Sequence, residues 1–155
     1  MTTEATIVDA TAASFEEDAL RRSHRVPVVV DFWAAWCGPC RTLGPMLEAA
    51  VTRRGGEVVL VKVDVDRAQE LAQRYGVQGI PAVIGLRDGA VVDRFTGAVP
   101  SVQIEAFLDR LAPSAEDRAL AAARDQDPDA ARVTLEAAVT ASPAHTGLAV
   151  ALAEL

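Results

Sequence analysis

The alternation of apolar and polar positions divides most of the chain into short elements. Ser14-Phe15-Glu16-Glu17 reads as a capping box that opens a helix running to about Ser23. Val26 to Trp33 follows and is apolar almost throughout, as parallel strands buried on both faces are. Leu43, Met46, Leu47, Ala50 and Val51 recur at the i, i+3, i+4, i+7, i+8 spacing of an amphipathic helix, which Gly55-Gly56 ends. Pro45 lies inside that helix and is expected to kink it. Val58 to Val65 is the next buried strand. Asp66 is expected to cap a helix with Ala68, Leu71, Ala72 and Tyr75 on its inner face, stopped by Gly76. Two short runs, Ala82 to Leu86 and Val91 to Phe95, flank Arg87-Asp88-Gly89-Ala90, and Asp-Gly between such runs signals an antiparallel hairpin. Ser101 is expected to cap a last helix with Ile104, Phe107, Leu108 and Leu111 on one face, ended by Pro113. The order β-α-β-α-β-α-β-β-α predicts an α/β domain, a mixed central sheet with helices on both faces.

Beyond residue 112 the pattern changes. Asp117 to Arg124, Asp129 to Thr140 and Pro143 to Glu154 read as three Ala-rich helices broken at Asp127-Pro128 and Ser142-Pro143. Composition draws the same boundary. All seven aromatics lie before it, whereas the last 43 residues contain none and 14 alanines. The expected organisation is therefore one domain over 1–112 and a helical tail over 113–155.

The formal charge of −7 argues against nucleic acid or an anionic membrane surface as partner, since both require a basic footprint. No stretch approaches the roughly 18 to 20 apolar residues that span a bilayer. The first 25 residues contain no apolar h-region, so no secretory signal is expected and the expected location is cytoplasmic.

The chemistry is concentrated in Trp36-Cys37-Gly38-Pro39-Cys40, immediately before the amphipathic helix. At a helix N-terminus, the dipole and the unpaired backbone N–H groups favour a thiolate at the first cysteine. The second cysteine, one turn on, is close enough to close a disulfide. Zinc requires about four ligands. The chain has two cysteines, and its histidines, His24 and His145, lack ligand spacing, so no metal site is expected. A static structural disulfide does not suit a reducing cytoplasm. Asp31, alone in an apolar strand, is either a satisfied core carboxylate or a group whose pKa burial raises until it serves as a base near neutral pH. Lys62, the single lysine, would ordinarily be a solvated charge. In a buried strand, its stem is expected to pack while its amine couples to Asp31.

On these residues, positions from about 6 to 112 resemble the thioredoxin family. Trp36–Cys40 carries the full family motif, Asp31 matches its buried aspartate, and Lys62 matches the lysine facing it. Gly79-Ile80-Pro81 matches the loop with a cis proline, and Gly97-Ala98 matches the stretch beside the substrate groove. The resemblance implies catalytic roles for Cys37, Cys40, Asp31 and Lys62. It also implies a docking surface built from Trp33, Trp36, Gly38, Pro39, Ile80, Pro81, Gly97 and Ala98, with the Ile80 backbone bonding an extended substrate. Cys37 would attack a protein disulfide and Cys40, deprotonated with help from Asp31, would resolve the mixed disulfide. No cofactor is expected beyond the redox-active Cys37–Cys40 pair. The implied partners are disulfide-bearing proteins and a thioredoxin reductase or other thiol reductant. One departure is Ala82, where thioredoxins often carry Thr after the proline.

In the tail, Ala131, Leu135, Ala138 and Pro143 fall at the spacings of the second half of a tetratricopeptide repeat, although Ala119 and Ala122 replace the glycine and aromatic of its first half. Unrelated Ala-rich helices are the alternative. With Phe95 to Ser101 leading into Phe107 to Leu111, the whole chain resembles bacterial thioredoxin-like co-chaperones of the chaperedoxin type, which carry such repeats. It is expected to be a short or truncated member, because members generally carry several repeats and this chain holds about one and a quarter. Since roughly three are needed for independent stability, the tail is expected to dock on the first domain or on a second chain, unless the chain is truncated. That resemblance adds a chaperonin as partner, and leaves open a protein that mainly holds oxidised clients, with its dithiol secondary.

Overall fold

The computed structural model describes residues 5–112, 115–144 and 146–155. Pro113, expected to end a helix, and His145 lie outside the described residues. The chain separates into two compact units, Met1–Ala112 and Pro113–Leu155.

In the first unit, β1 (Ile7–Ala10), β2 (Val28–Trp33), β3 (Val59–Asp64), β4 (Ala82–Arg87) and β5 (Ala90–Thr96) form one sheet in the order β1-β3-β2-β4-β5. β3 runs parallel to both β1 and β2, while β4 is antiparallel to β2 and β5, so the sheet is mixed. Asp88 and Gly89 turn the β4–β5 hairpin with φ of 53° and 78°, the left-handed pair that a two-residue turn between twisted strands requires.

Side-chain alternation along the central strands sorts residues between two cores. Val28, Val30 and Phe32 of β2 join Val59, Val61 and Val63 of β3 on one face, against Phe15, Ala19 and Leu71. Leu71 belongs to the short helix α2 (Gln69–Arg74). Val29 and Leu60 face the other way, against Leu43, Leu47 and Val51 of α1 (Gly38–Arg53) and Ile104, Phe107 and Leu108 of α3 (Ser101–Leu111). By the same parity Asp31 and Lys62, which pair in register across β2 and β3, lie on the α1 side. α1 runs unbroken through Pro45. Gly85 lets α3 approach β4 closely, since a Cβ there would stand 2.8 Å from Leu111 Cδ1.

Four local expectations are corrected. The capping box sits one turn earlier than Ser14: the Thr11 N–H donates to Ser14 Oγ at 2.9 Å and the Ser14 N–H donates to Thr11 Oγ1 at 3.2 Å. Thr11 therefore opens the segment, and the helix after it widens into a π-type turn over Glu16–Arg21. Asp66 caps nothing; α2 follows Ala68 without a side-chain cap, and the Asp66 carboxylate instead accepts a bond from Trp36. Pro100 precedes α3, with no side-chain cap from Ser101. β5 is also far more exposed than its apolar run suggests, because it forms the sheet edge beside β4.

The second unit contains α4 (Ala115–Arg124), α5 (Pro128–Ala141) and α6 (Thr146–Ala153), each in contact with the other two. Asp127 caps α5 by accepting from the N–H groups of Asp129 and Ala130, which places Pro128 in the first turn, where a missing donor costs nothing. Among the unit's described residues, Ala131, Leu135 and Leu148 are buried. Pro143 and Ala144, where the sequence leads one to expect the start of α6, form a turn instead.

Candidate active site

Cys37 is the N-cap of α1 and Cys40 lies in its first turn. Their sulfurs are bonded, with the Cα atoms 5.3 Å apart. The Cys40 backbone N–H donates to Cys37 Sγ at 3.2 Å, so one unpaired donor of the helix start points at the first sulfur. Negative charge that develops on Cys37 when the bond opens is held by this donor and by the dipole of a 16-residue helix.

Both cysteines are nearly buried. They pack with Ala34 in a small apolar cluster bordered by Trp33, Val65 and Ile80. The Ile80–Pro81 peptide is cis, and the Gly97 N–H donates to the Pro81 carbonyl at 2.8 Å, which brings the 97–98 stretch beside this loop. Gly38, Pro39 and Ala98 are exposed. Trp36 is 66% exposed, and its indole N–H is tied to Asp66 Oδ2 at 3.0 Å. The disulfide thus lies under an apolar rim contributed by four separate segments of the chain.

Behind Cys40 is a cavity of about 360 Å³ lined by Asp31, Trp33, Cys40, Arg41, Gly44, Glu48 and Lys62, among others. Asp31 is 2% exposed, and its Oδ1 has no hydrogen-bond partner among the described residues. Burial pushes this carboxyl up to about 6, Lys62 pulls it down, and Glu48 pushes it further up. A carboxyl in that range exchanges protons near neutral pH, and Cys40 lines the same cavity.

Lys62 departs in detail from the sequence expectation. Its stem is packed as expected and its charge acts on Asp31, yet its ion-pair contact is with Glu48, at 3.6 Å. The ammonium also lies over the Trp33 ring, 5.3 Å from the centroid. Sequence reasoning missed Glu48, although Cys40, Gly44 and Glu48 recur every fourth residue on one face of α1. It also missed Asp66 as the partner of Trp36, for which a separation of 30 residues leaves no local signal.

The family model described as Thioredoxin matches residues 6–110. The chain belongs to the thioredoxin family. Its thioredoxin domain is 42% identical over 106 residues to Thioredoxin C-2 of Corynebacterium nephridii, an alignment covering 68% of this chain and 96% of that protein. It is 41% identical over 103 residues to the thioredoxin of Pseudomonas aeruginosa, covering 66% and 94%. Identity reaches 51% over 85 residues with the mitochondrial thioredoxin of Bos taurus, covering 55% of this chain and 51% of that protein. The chain thus spans about half the length of such mitochondrial relatives. Among the described residues no group of three or more His, Cys, Asp or Glu is placed to hold a metal, and no helix is long and apolar enough to cross a membrane.

Proposed function

We propose that the protein is a dithiol–disulfide oxidoreductase that reduces disulfides in other proteins. The observation carrying this reading is the Cys37–Cys40 bond at the start of α1, above a cavity that it shares with the buried Asp31. In the reduced protein the Cys37 thiolate attacks a client disulfide; one client sulfur leaves as a thiolate and takes a proton, and the other is joined to Cys37. Cys40 then gives its proton to the Asp31 carboxylate, bonds to Cys37, and expels the second client sulfur. The client gains two electrons and two protons, and a thioredoxin reductase or another thiol reductant restores the pair. The exposed Trp36, Gly38, Pro39 and Ala98, with Trp33, Ile80, Pro81 and Gly97, form the docking rim, where the Ile80 backbone meets an extended client segment. A reducing compartment such as the cytoplasm suits this cycle.

Insulin reduction coupled to a thioredoxin reductase tests the reading. Turnover by the intact chain and none by Cys40→Ser is the expected result, and a wild-type chain without turnover under any thiol reductant would sink it.

A finer reading is that the protein acts as a redox-active co-chaperone, with residues 113–155 contributing a partial tetratricopeptide repeat that helps deliver oxidised clients to a chaperonin. Its support is the second compact helical unit, in which Ala131 and Leu135, two of the repeat-spaced positions, are buried. Cys40→Ser pull-downs with and without residues 113–155 decide it: loss of a chaperonin with the tail supports the role, and an unchanged partner set overturns it.

A further inference from the structure

Glu48 is the one acid on α1 that reaches the cavity behind the disulfide, and it meets Lys62 there. Among the described residues, the charged and titratable groups around Asp31 and Lys62 come from three elements. β3 brings Lys62, the register partner of Asp31; α1 brings Cys40, Arg41 and Glu48; and β1 brings Asp9, which pairs in register with Lys62 on the side away from Asp31 and is the same in every variant compared below. The β4 residue opposite Asp31 is Val83, which carries no charge. Arg41 directs its guanidinium outward to the Ala35 carbonyl at 2.8 Å. The ammonium of Lys62 is held between Glu48 and the face of Trp33, while Asp31 Oδ1 has no hydrogen-bond partner among the described residues.

We propose that Glu48 is a positioning residue for the resolving step: it holds the Lys62 ammonium at the cavity wall and so leaves the Asp31 carboxyl able to carry the Cys40 proton. The inference rests on the oxidoreductase reading given above. In that step the Cys40 S–H proton passes to Asp31, the new S–S bond forms between Cys40 and Cys37, and the client thiolate departs with the electron pair of the broken bond. An ammonium turned fully onto Asp31 would hold the carboxylate as a stable ion pair and make it a poorer base. Glu48 prevents this in two ways, by engaging the lysine and by its own negative charge, and only the first depends on Lys62. The two are therefore separable.

The experiment is a carboxyl-carbon NMR titration of Asp31 in the oxidised full-length protein, comparing wild type, Glu48→Gln, Lys62→Met and the double variant. Glu48→Gln is expected to lower the Asp31 midpoint by roughly half a pH unit or more, and to move it less than half as far when Lys62 is absent. No shift, or the same shift in both backgrounds, would overturn the positioning role. A second readout is single-turnover reduction of a peptide disulfide across pH. Glu48→Gln should slow resolution about two- to three-fold at pH 7 and shift its acidic limb downward, while the alkylation rate of Cys37 stays unchanged. An unaltered pH profile, with wild-type turnover intact, counts against Glu48 alone. A wild-type chain that reduces no disulfide removes the oxidoreductase reading and the role of Glu48 with it.

Discussion

Replacing Asp31 with asparagine keeps the shape of the side chain and removes its charge, so it isolates the cost of burying a carboxylate behind the disulfide. The carboxyl is raised from an ordinary 3.8 to about 6, chiefly by desolvation. An acid raised on folding binds its proton more tightly in the folded chain than in the unfolded one. The penalty is therefore fully present above pH 6, shrinks as pH falls from 6 toward 3.8, and is gone below. At about 1.4 kcal/mol per pH unit, the difference between the two values corresponds to roughly 3 kcal/mol. Asp31→Asn should then be more stable than wild type at pH 7.5, with a gap that narrows by roughly 2–3 kcal/mol on lowering the pH to 4. Any cost of packing the amide is nearly independent of pH and drops out of that comparison. Guanidinium unfolding of the oxidised protein, followed by tryptophan fluorescence, measures the gap, because Trp33 and Trp36 both report on the first unit alone. A stability difference that stays constant between pH 4 and pH 7.5 would refute the reasoning. The same variant should slow insulin reduction, so the side chain that weakens the fold is the one that speeds the reaction.

Further outcomes follow from other contacts. Cys40→Ser should accumulate client adducts on non-reducing gels, which Cys37→Ser should not, since only the first cysteine attacks. Gly85→Ala should destabilise the first unit by about 1–3 kcal/mol in chemical unfolding, because the new methyl meets Leu111 Cδ1 at 2.8 Å and Phe107 Cζ at 3.2 Å. Arg54→Met should cost about 1 kcal/mol at pH 7, kept small by the partial exposure of the partner carboxylates. Arg54 bonds Glu105 Oε2 at 2.7 Å and Asp109 Oδ1 at 2.8 Å. Arg54 and then Arg53, which bonds Glu105 Oε1 at 2.7 Å, hold the Glu105 carboxyl below its usual range, so the contribution is present above pH 4.5 and fades as pH falls through the lowered value. Unfolding curves at pH 7 and pH 3 would show the Arg54→Met deficit closing.

The amino-acid sequence by itself determined the elements, the location of the dithiol and the break near residue 112. These are written in local periodicity, in Cys37-Gly38-Pro39-Cys40 and Asp88-Gly89, and in the loss of aromatics along the chain. It also placed Asp31 and Lys62 in neighbouring buried strands, where an isolated charge among apolar residues stands out. Tertiary structure decided which charge answers which. Strand parity and the parallel register turned Asp31 and Lys62 toward α1, and the packing of α1 on that face brought Glu48 within 3.6 Å of the lysine. Packing likewise gave the Trp36 indole to Asp66, a residue whose local pattern reads as a helix cap. The start of the first helix differs from the sequence expectation for a related reason. Thr11 and Ser14 can each supply a capping oxygen, and only the chain path out of β1 selects between them. Hydrophobic periodicity acts over a few residues and survives in sequence. The pairing of charges depends on what lies across the sheet, often 14 to 31 residues away, and exists only once the strands have found their register.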